Sequence, residues 1–154
     1  MEARRRETGT VRNGVQLITY VDRFGGGDLD ALADLLAGPL DGAFTGVHLL
    51  PFYPPYDGAD AGFDPIDHTR VDPRLGDWEA LGRLAAHLDV TADLIVNHIS
   101  SESPRFLDFL QHGTNSAHGG MFLSYSDVFP EGATEEELLR IYRPRPGLPF
   151  TAFT

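Results

Sequence analysis

Residues 15–112 predict an α/β fold in which parallel strands alternate with helices. Three observations carry this: short apolar, β-branched runs at 15–20, 46–52 and 90–96, helical apolar spacing between them, and turn residues at the junctions. The first run (VQLITY) leads into Gly25, Gly26 and Gly27, as a strand feeding a helix does. Asp28 then stands at the N-cap position, and Leu29, Leu32, Ala33, Leu35 and Leu36 recur at helical spacing until Gly38 and Pro39 stop them. The second run (GVHLLPF) has the continuous apolar character of a strand buried on both faces. A second helix is expected from about Asp77, with Trp78, Leu81, Leu84, Ala85 and Leu88 on one face, and the third run (VTADLIV) reads as another buried strand. Residues 103–111 suit a helix capped by Ser103 with Pro104 first, and 134–141 suit a short one.

Pattern alone leaves two architectures open, an open doubly wound sheet and a closed eight-stranded barrel with right-handed crossovers. Functional groups sit at the C-terminal ends of the strands in both. A barrel takes about 250 residues, so three strands are an unfinished one. Residues 1–14, polar and Arg-rich, read as a flexible arm, and 113–154, mostly irregular, as an inserted segment.

The chain has 23 acidic against 12 basic residues and a net charge of −11, which excludes nucleic acid or an anionic membrane as partner and suits a neutral substrate such as a sugar. No apolar run reaches the roughly 20 residues that span a bilayer. The start, MEARRRETGT, lacks the apolar stretch of a secretory leader, so a cytoplasmic location is expected. Without cysteine there are no disulfides, thiolate nucleophiles or cysteine-held zinc.

Between Pro51 and Asp77 lies a stretch far longer than the usual strand-to-helix connection, which marks a functional loop. It carries Asp57, Asp60, Asp64, Asp67, His68, Arg70 and Asp72 above the sheet. Each aspartate alone is a good turn residue, whereas the cluster favours a functional reading; no spacing in it matches a metal-ligand set. At the end of the third run, Asp93, Ile95 and Asn97 alternate with Leu94, Val96 and His98, so His98 stands at the rim, where it can bond a ligand hydroxyl. His48 lies within a strand and reads as a buried, hydrogen-bonded structural residue, while His87, His112 and His118 receive no role. The segment 141–150 (IYRPRPGLPF) presents Tyr142, Arg143 and Arg145 on a Pro-fixed backbone, suited to gripping phosphate or carboxylate or to serving as a linker.

The hexapeptide 93–98 (DLIVNH) resembles the first short signature of the alpha-amylase family, at the end of the third barrel strand. Taken in order with VQLITYVDRFG, GVHLLPFYPPYDGADAGFDPIDHTRVDPRLG, MFLSYSDVFPEGATEEEL and IYRPRPGLPF, it is similar to the sucrose-phosphorylase subgroup from about Val15 to Thr154. That resemblance implies the N-terminal part of a TIM (β/α)8 barrel, its first three strand-helix units spanning 15–112, followed by the start of an inserted loop-rich domain at 113–154. It implies retaining glucosyl transfer from sucrose to inorganic phosphate without metal or cofactor, and a homodimer for the full-length enzyme.

Position by position, Asp60 and His98 match residues that hold the hydroxyls of the glucosyl unit, and Phe63 matches the aromatic wall behind its ring. Tyr142 and Arg145 match a mobile segment around acceptor and phosphate. Asn97 matches a calcium ligand of many amylases, but the subgroup is metal-independent. The family's nucleophilic Asp and acid Glu come from the fourth and fifth strands, so no residue here is expected to be catalytic and the 154-residue chain alone is expected to be inactive. Two alternatives are a phosphorylase of another alpha-glucoside, such as glucosylglycerate or sucrose 6-phosphate, and a non-catalytic sugar-binding remnant.

Overall fold

The computed structural model describes residues 14–57 and 62–141. The chain divides into two compact units between Ser103 and Pro104.

In the first unit, β1 (Gln16–Thr19), β2 (Gly46–Leu49) and β3 (Asp89–Ala92) form a parallel sheet in the order β1-β2-β3. Two helices make the crossovers, α1 (Leu29–Ala37) and α2 (Trp78–Ala85). Asp28 caps α1 as expected, and α2 starts close to its expected start with Asp77 as its cap: Asp28 Oδ1 accepts from the Ala31 N–H and Asp77 Oδ1 from the Ala80 N–H, each at 2.8 Å. The helices lie side by side, and Arg83 forks onto Asp30 at 2.7 and 2.9 Å. That pair is exposed and adds little stability.

One face of the sheet holds the core. Val47 and Leu49 pack under Leu29, Leu32 and Leu36 of α1 and Ala80 and Leu84 of α2, with Val21, Phe52, Tyr53 and Val71 closing the end where the strands run out. Leu17 and Val90 share the Val47 rung and pack against this core. The opposite face carries Ile18, His48 and Thr91 on one rung, and Ile18 is 62% exposed. Across that face Gln16 Nε2 donates to Thr91 Oγ1 at 3.1 Å.

Several expectations need correction. The third strand is Asp89–Ala92, not 90–96, and it is largely exposed rather than buried. Its ladder stops for a reason written in β2. Asp93 N–H still reaches the Leu49 carbonyl at 3.4 Å, but the next donor in a parallel ladder is residue 51, a proline with no N–H. β2 likewise ends at Leu49 rather than Phe52. Alternation persists beyond the ladder, since Ile95 is buried while Leu94 and Val96 are exposed. Trp78 is half exposed, its ring edge-on to Phe52 and its Nε1–H donating to the Thr69 carbonyl at 3.0 Å.

The second unit contains α3 (Pro104–His112), α4 (Tyr125–Val128) and α5 (Glu135–Ile141). The rings of Phe106, Phe109 and Phe122 cluster with centroids 5.0–6.5 Å apart. Helix α4 was not expected: four residues are too few to show a period, and its signal is local, a capping box between Ser124 and Asp127. Thr134 and Glu137 bond reciprocally at the start of α5. The Ser103 hydroxyl, expected to cap α3, makes no hydrogen bond. Among the described residues no helix is long and apolar enough to cross a membrane.

In urea unfolding of the protein, Leu32→Ala is expected to cost about 2–5 kcal/mol by opening a cavity between α1 and the sheet. Asp77→Ala is expected to cost about 1 kcal/mol by uncapping α2.

Candidate functional site

The loop between β2 and α2 is built by its own backbone. Residues 54–56 and 64–66 run antiparallel through a Pro55–Pro65 bridge, with Tyr56 N–H on the Asp64 carbonyl at 3.0 Å and Ile66 N–H on the Pro54 carbonyl at 2.8 Å. At its base, Asp72 N–H bonds the Phe52 carbonyl at 2.8 Å. Gly62 has φ +83°, and a Cβ there would meet the Pro51 carbonyl oxygen at 2.8 Å, so only glycine fits. Phe63 follows it and is 45% exposed.

His98 comes to this loop from the other side. Its Nε2 lies 2.5 Å from the Phe63 carbonyl oxygen. A carbonyl only accepts, so Nε2 carries the proton and Nδ1 is the acceptor of the neutral ring. Phe63, which rested on the resemblance alone, and His98, placed at the rim by strand alternation as well, are thereby brought together. Asp60, Tyr142 and Arg145, with Arg143, lie outside the described residues.

Two of the loop's aspartates serve the loop itself. Asp67 accepts from Thr69 N–H at 2.9 Å, from its hydroxyl at 2.6 Å and from Arg70 Nε at 3.0 Å. Asp72 is buried and gripped by Arg74, whose Nη2 and Nε approach to 2.6 and 3.0 Å while its backbone N–H bonds Oδ1 at 3.0 Å. Burial pushes the Asp72 carboxyl up, but the Arg74 side-chain bonds, its N–H and its charge outweigh that and hold it below the ordinary value of 3.8.

A third group was not singled out from the sequence. His48 Nε2 meets Asp93 Oδ1 at 2.8 Å, and the Tyr53 hydroxyl donates to the Asp93 carbonyl at 3.2 Å. His48 is half-buried, not fully buried as expected. Burial, then the Asp93 charge, raises the Tyr53 phenol above its ordinary value and keeps it a donor. The Tyr53 ring also packs against His68, centroids 5.7 Å apart. No local motif joins these residues; only the strand register does.

A cavity of about 50 Å³ opens between Tyr20–Arg23 and the loop residues Pro51, Tyr53, Pro55 and Gly62, with Asp72, Arg74 and Leu75 beneath. That is room enough for water but far below the several hundred Å³ of a ligand pocket. Among the described residues, no group of three or more His, Asp or Glu gathers as a metal site would require.

No family model matches the chain. Sucrose phosphorylase of Bifidobacterium adolescentis is 55% identical over 143 residues, 93% of this chain and 28% of that protein. The chain is homologous to a segment of the sucrose phosphorylases. It therefore spans less than a third of that relative's length. Glucosylglycerate phosphorylase of Allomeiothermus silvanus is 40% identical over 93% of this chain and 24% of its own length. The crystal structure of sucrose 6F-phosphate phosphorylase from Thermoanaerobacter thermosaccharolyticum superposes with a TM-score of 0.80 at 33% identity, over 99% of this chain and 31% of that one. An alpha-amylase from H. orenii follows with a TM-score of 0.56 at 26% identity, over 71% of this chain and 26% of that one. The three-stranded sheet with its two helices is thus an incomplete portion of the alpha-amylase-type (β/α)8 barrel.

The Asp72–Arg74 pair makes a pH prediction. Because folding holds the Asp72 carboxyl low, its stabilisation is fully present above the unfolded value and is lost as pH falls through the folded one. Arg74→Met should therefore lower Tm at neutral pH, and the gap to the parent protein should narrow as pH falls below the ordinary carboxylate value; a gap that stays constant would contradict the assignment.

Proposed function

We propose that the protein containing this segment is a retaining glucosyl-transferring phosphorylase, converting sucrose and phosphate to glucose 1-phosphate and fructose. The observation that carries the reading is the pairing of His98 with the Phe63 carbonyl, within a chain 55% identical to a sucrose phosphorylase. In this reading Phe63 offers an apolar face to the C–H side of the glucosyl ring, and His98 and Asp60 bond its hydroxyls. Tyr142 and Arg145 act at the acceptor side, where a guanidinium offsets the charge of phosphate.

The chemistry proceeds in two displacements. A carboxylate attacks the anomeric carbon as an acid protonates the departing fructose oxygen, and phosphate oxygen then displaces the carboxylate, so configuration is retained. Both carboxyl groups belong to later strands of the barrel; this segment supplies binding and orientation. Residues 113–154 begin an inserted domain in this reading. The enzyme works in the cytoplasm without a metal, as a homodimer.

A second reading keeps the mechanism and changes the glucoside. It draws on the similarity to glucosylglycerate phosphorylase and to sucrose 6F-phosphate phosphorylase. A panel of sucrose, sucrose 6-phosphate and glucosylglycerate, scored by glucose 1-phosphate released, separates the readings.

In the full-length protein, Asp60→Ala and His98→Ala are each expected to lower kcat/KM for the glucosyl donor by ~100-fold or more, since their hydrogen bonds strengthen in the transition state. Near-normal rates in both variants would overturn the assignment of this wall.

A further inference from the structure

The segment that carries His98 has few attachments. Beyond Asp93, among the described residues, no backbone N–H from Leu94 to Ile99 reaches a backbone carbonyl, and the next such bond is Ser100 N–H on the Pro65 carbonyl at 3.0 Å. Ile95 is buried, and His98 itself bonds the Phe63 carbonyl. Everything else that fixes the start of the segment converges on Asp93. Its N–H takes the last ladder bond to Leu49, its carboxylate accepts from His48 Nε2 at 2.8 Å, and its carbonyl accepts the Tyr53 hydroxyl at 3.2 Å.

All three partners come from β2 or the loop that follows it, the loop that also carries Phe63. We infer that Asp93 is a positioning residue: through His48 and Tyr53 it clamps the His98 segment to the Phe63 loop and so sets where His98 meets the sugar. A carboxylate offers only acceptors, so His48 is the donor, and Tyr53 fills the acceptor that Pro51 leaves without a ladder donor. The burial of Tyr53, which keeps its phenol protonated, suits that donor role. Asp93 touches no reacting atom in this account. A side chain held loosely by one such clamp can move enough to cost rate, since a displacement of about 1 Å at a reacting centre can cost as much as 100-fold.

This inference rests on the function proposed above, and a double-mutant cycle in the full-length protein tests it separately. With glucose 1-phosphate release from sucrose as the assay, Asp93→Ala should lower kcat/KM about tenfold or more. In a His98→Ala background the same change should cost no more than about twofold, because Asp93 acts through the ring already removed. Asp93→Asn, which keeps an acceptor for His48, should recover most of the rate. Tyr53→Phe removes the second arm while keeping the ring, and its smaller loss should also vanish in the His98→Ala background; it carries the test if Asp93→Ala does not fold. A full, additive loss on top of His98→Ala, for Asp93→Ala or for Tyr53→Phe, would make these residues merely structural and overturn the inference while leaving the proposed function intact. An unchanged rate in His98→Ala alone would overturn both.

Discussion

The parallel ladder on both sides of β2 is the constraint on which the rest of the first unit depends. Its register sets Leu17, Val47 and Val90 on one rung beneath the helices and Ile18, His48 and Thr91 on the next, facing away. A slip of one residue would exchange those faces, exposing Val47 and turning His48 into the core. Burial of Leu29, Leu32, Leu36 and Leu84 against the first face makes such a slip costly. From the same strand hang His48, Pro51, Tyr53 and the loop that ends at Asp72, so the sheet register and the placement of Phe63 and His98 are one problem.

The described limbs of the loop after β2 show how a polar, Pro-rich stretch supports itself. Its antiparallel limbs, the glycine at position 62 and the Asp72–Arg74 pair all hold backbone in place, and none needs a ligand to do so. The cluster of aspartates is therefore divided in its roles. Asp67 and Asp72 answer to Thr69, Arg70 and Arg74, as residues in turns commonly do.

Much of the helical framework was legible in the chain because its signals are local. An aspartate before each apolar period, at positions 28 and 77, announces a cap within three residues of its partner. The ends of β2 and β3 were less legible, because a strand stops where its neighbour stops offering bonds. Pro51, just past the end of β2, truncates β3 across the sheet, and reading 90–96 as a buried strand misses that. The His48–Asp93–Tyr53 group was hidden for the same reason: residues 45 apart in sequence become partners through register alone. His98 was legible from alternation at a strand end and Phe63 only by resemblance to a family, and the geometry then joined them.

The most direct measurement is a crystal structure of the full-length protein soaked with glucose. The account predicts a sugar ring stacked on Phe63, with hydroxyls within hydrogen-bond distance of Asp60 and His98. A sugar bound elsewhere, with Phe63 and His98 still facing solvent, would contradict it.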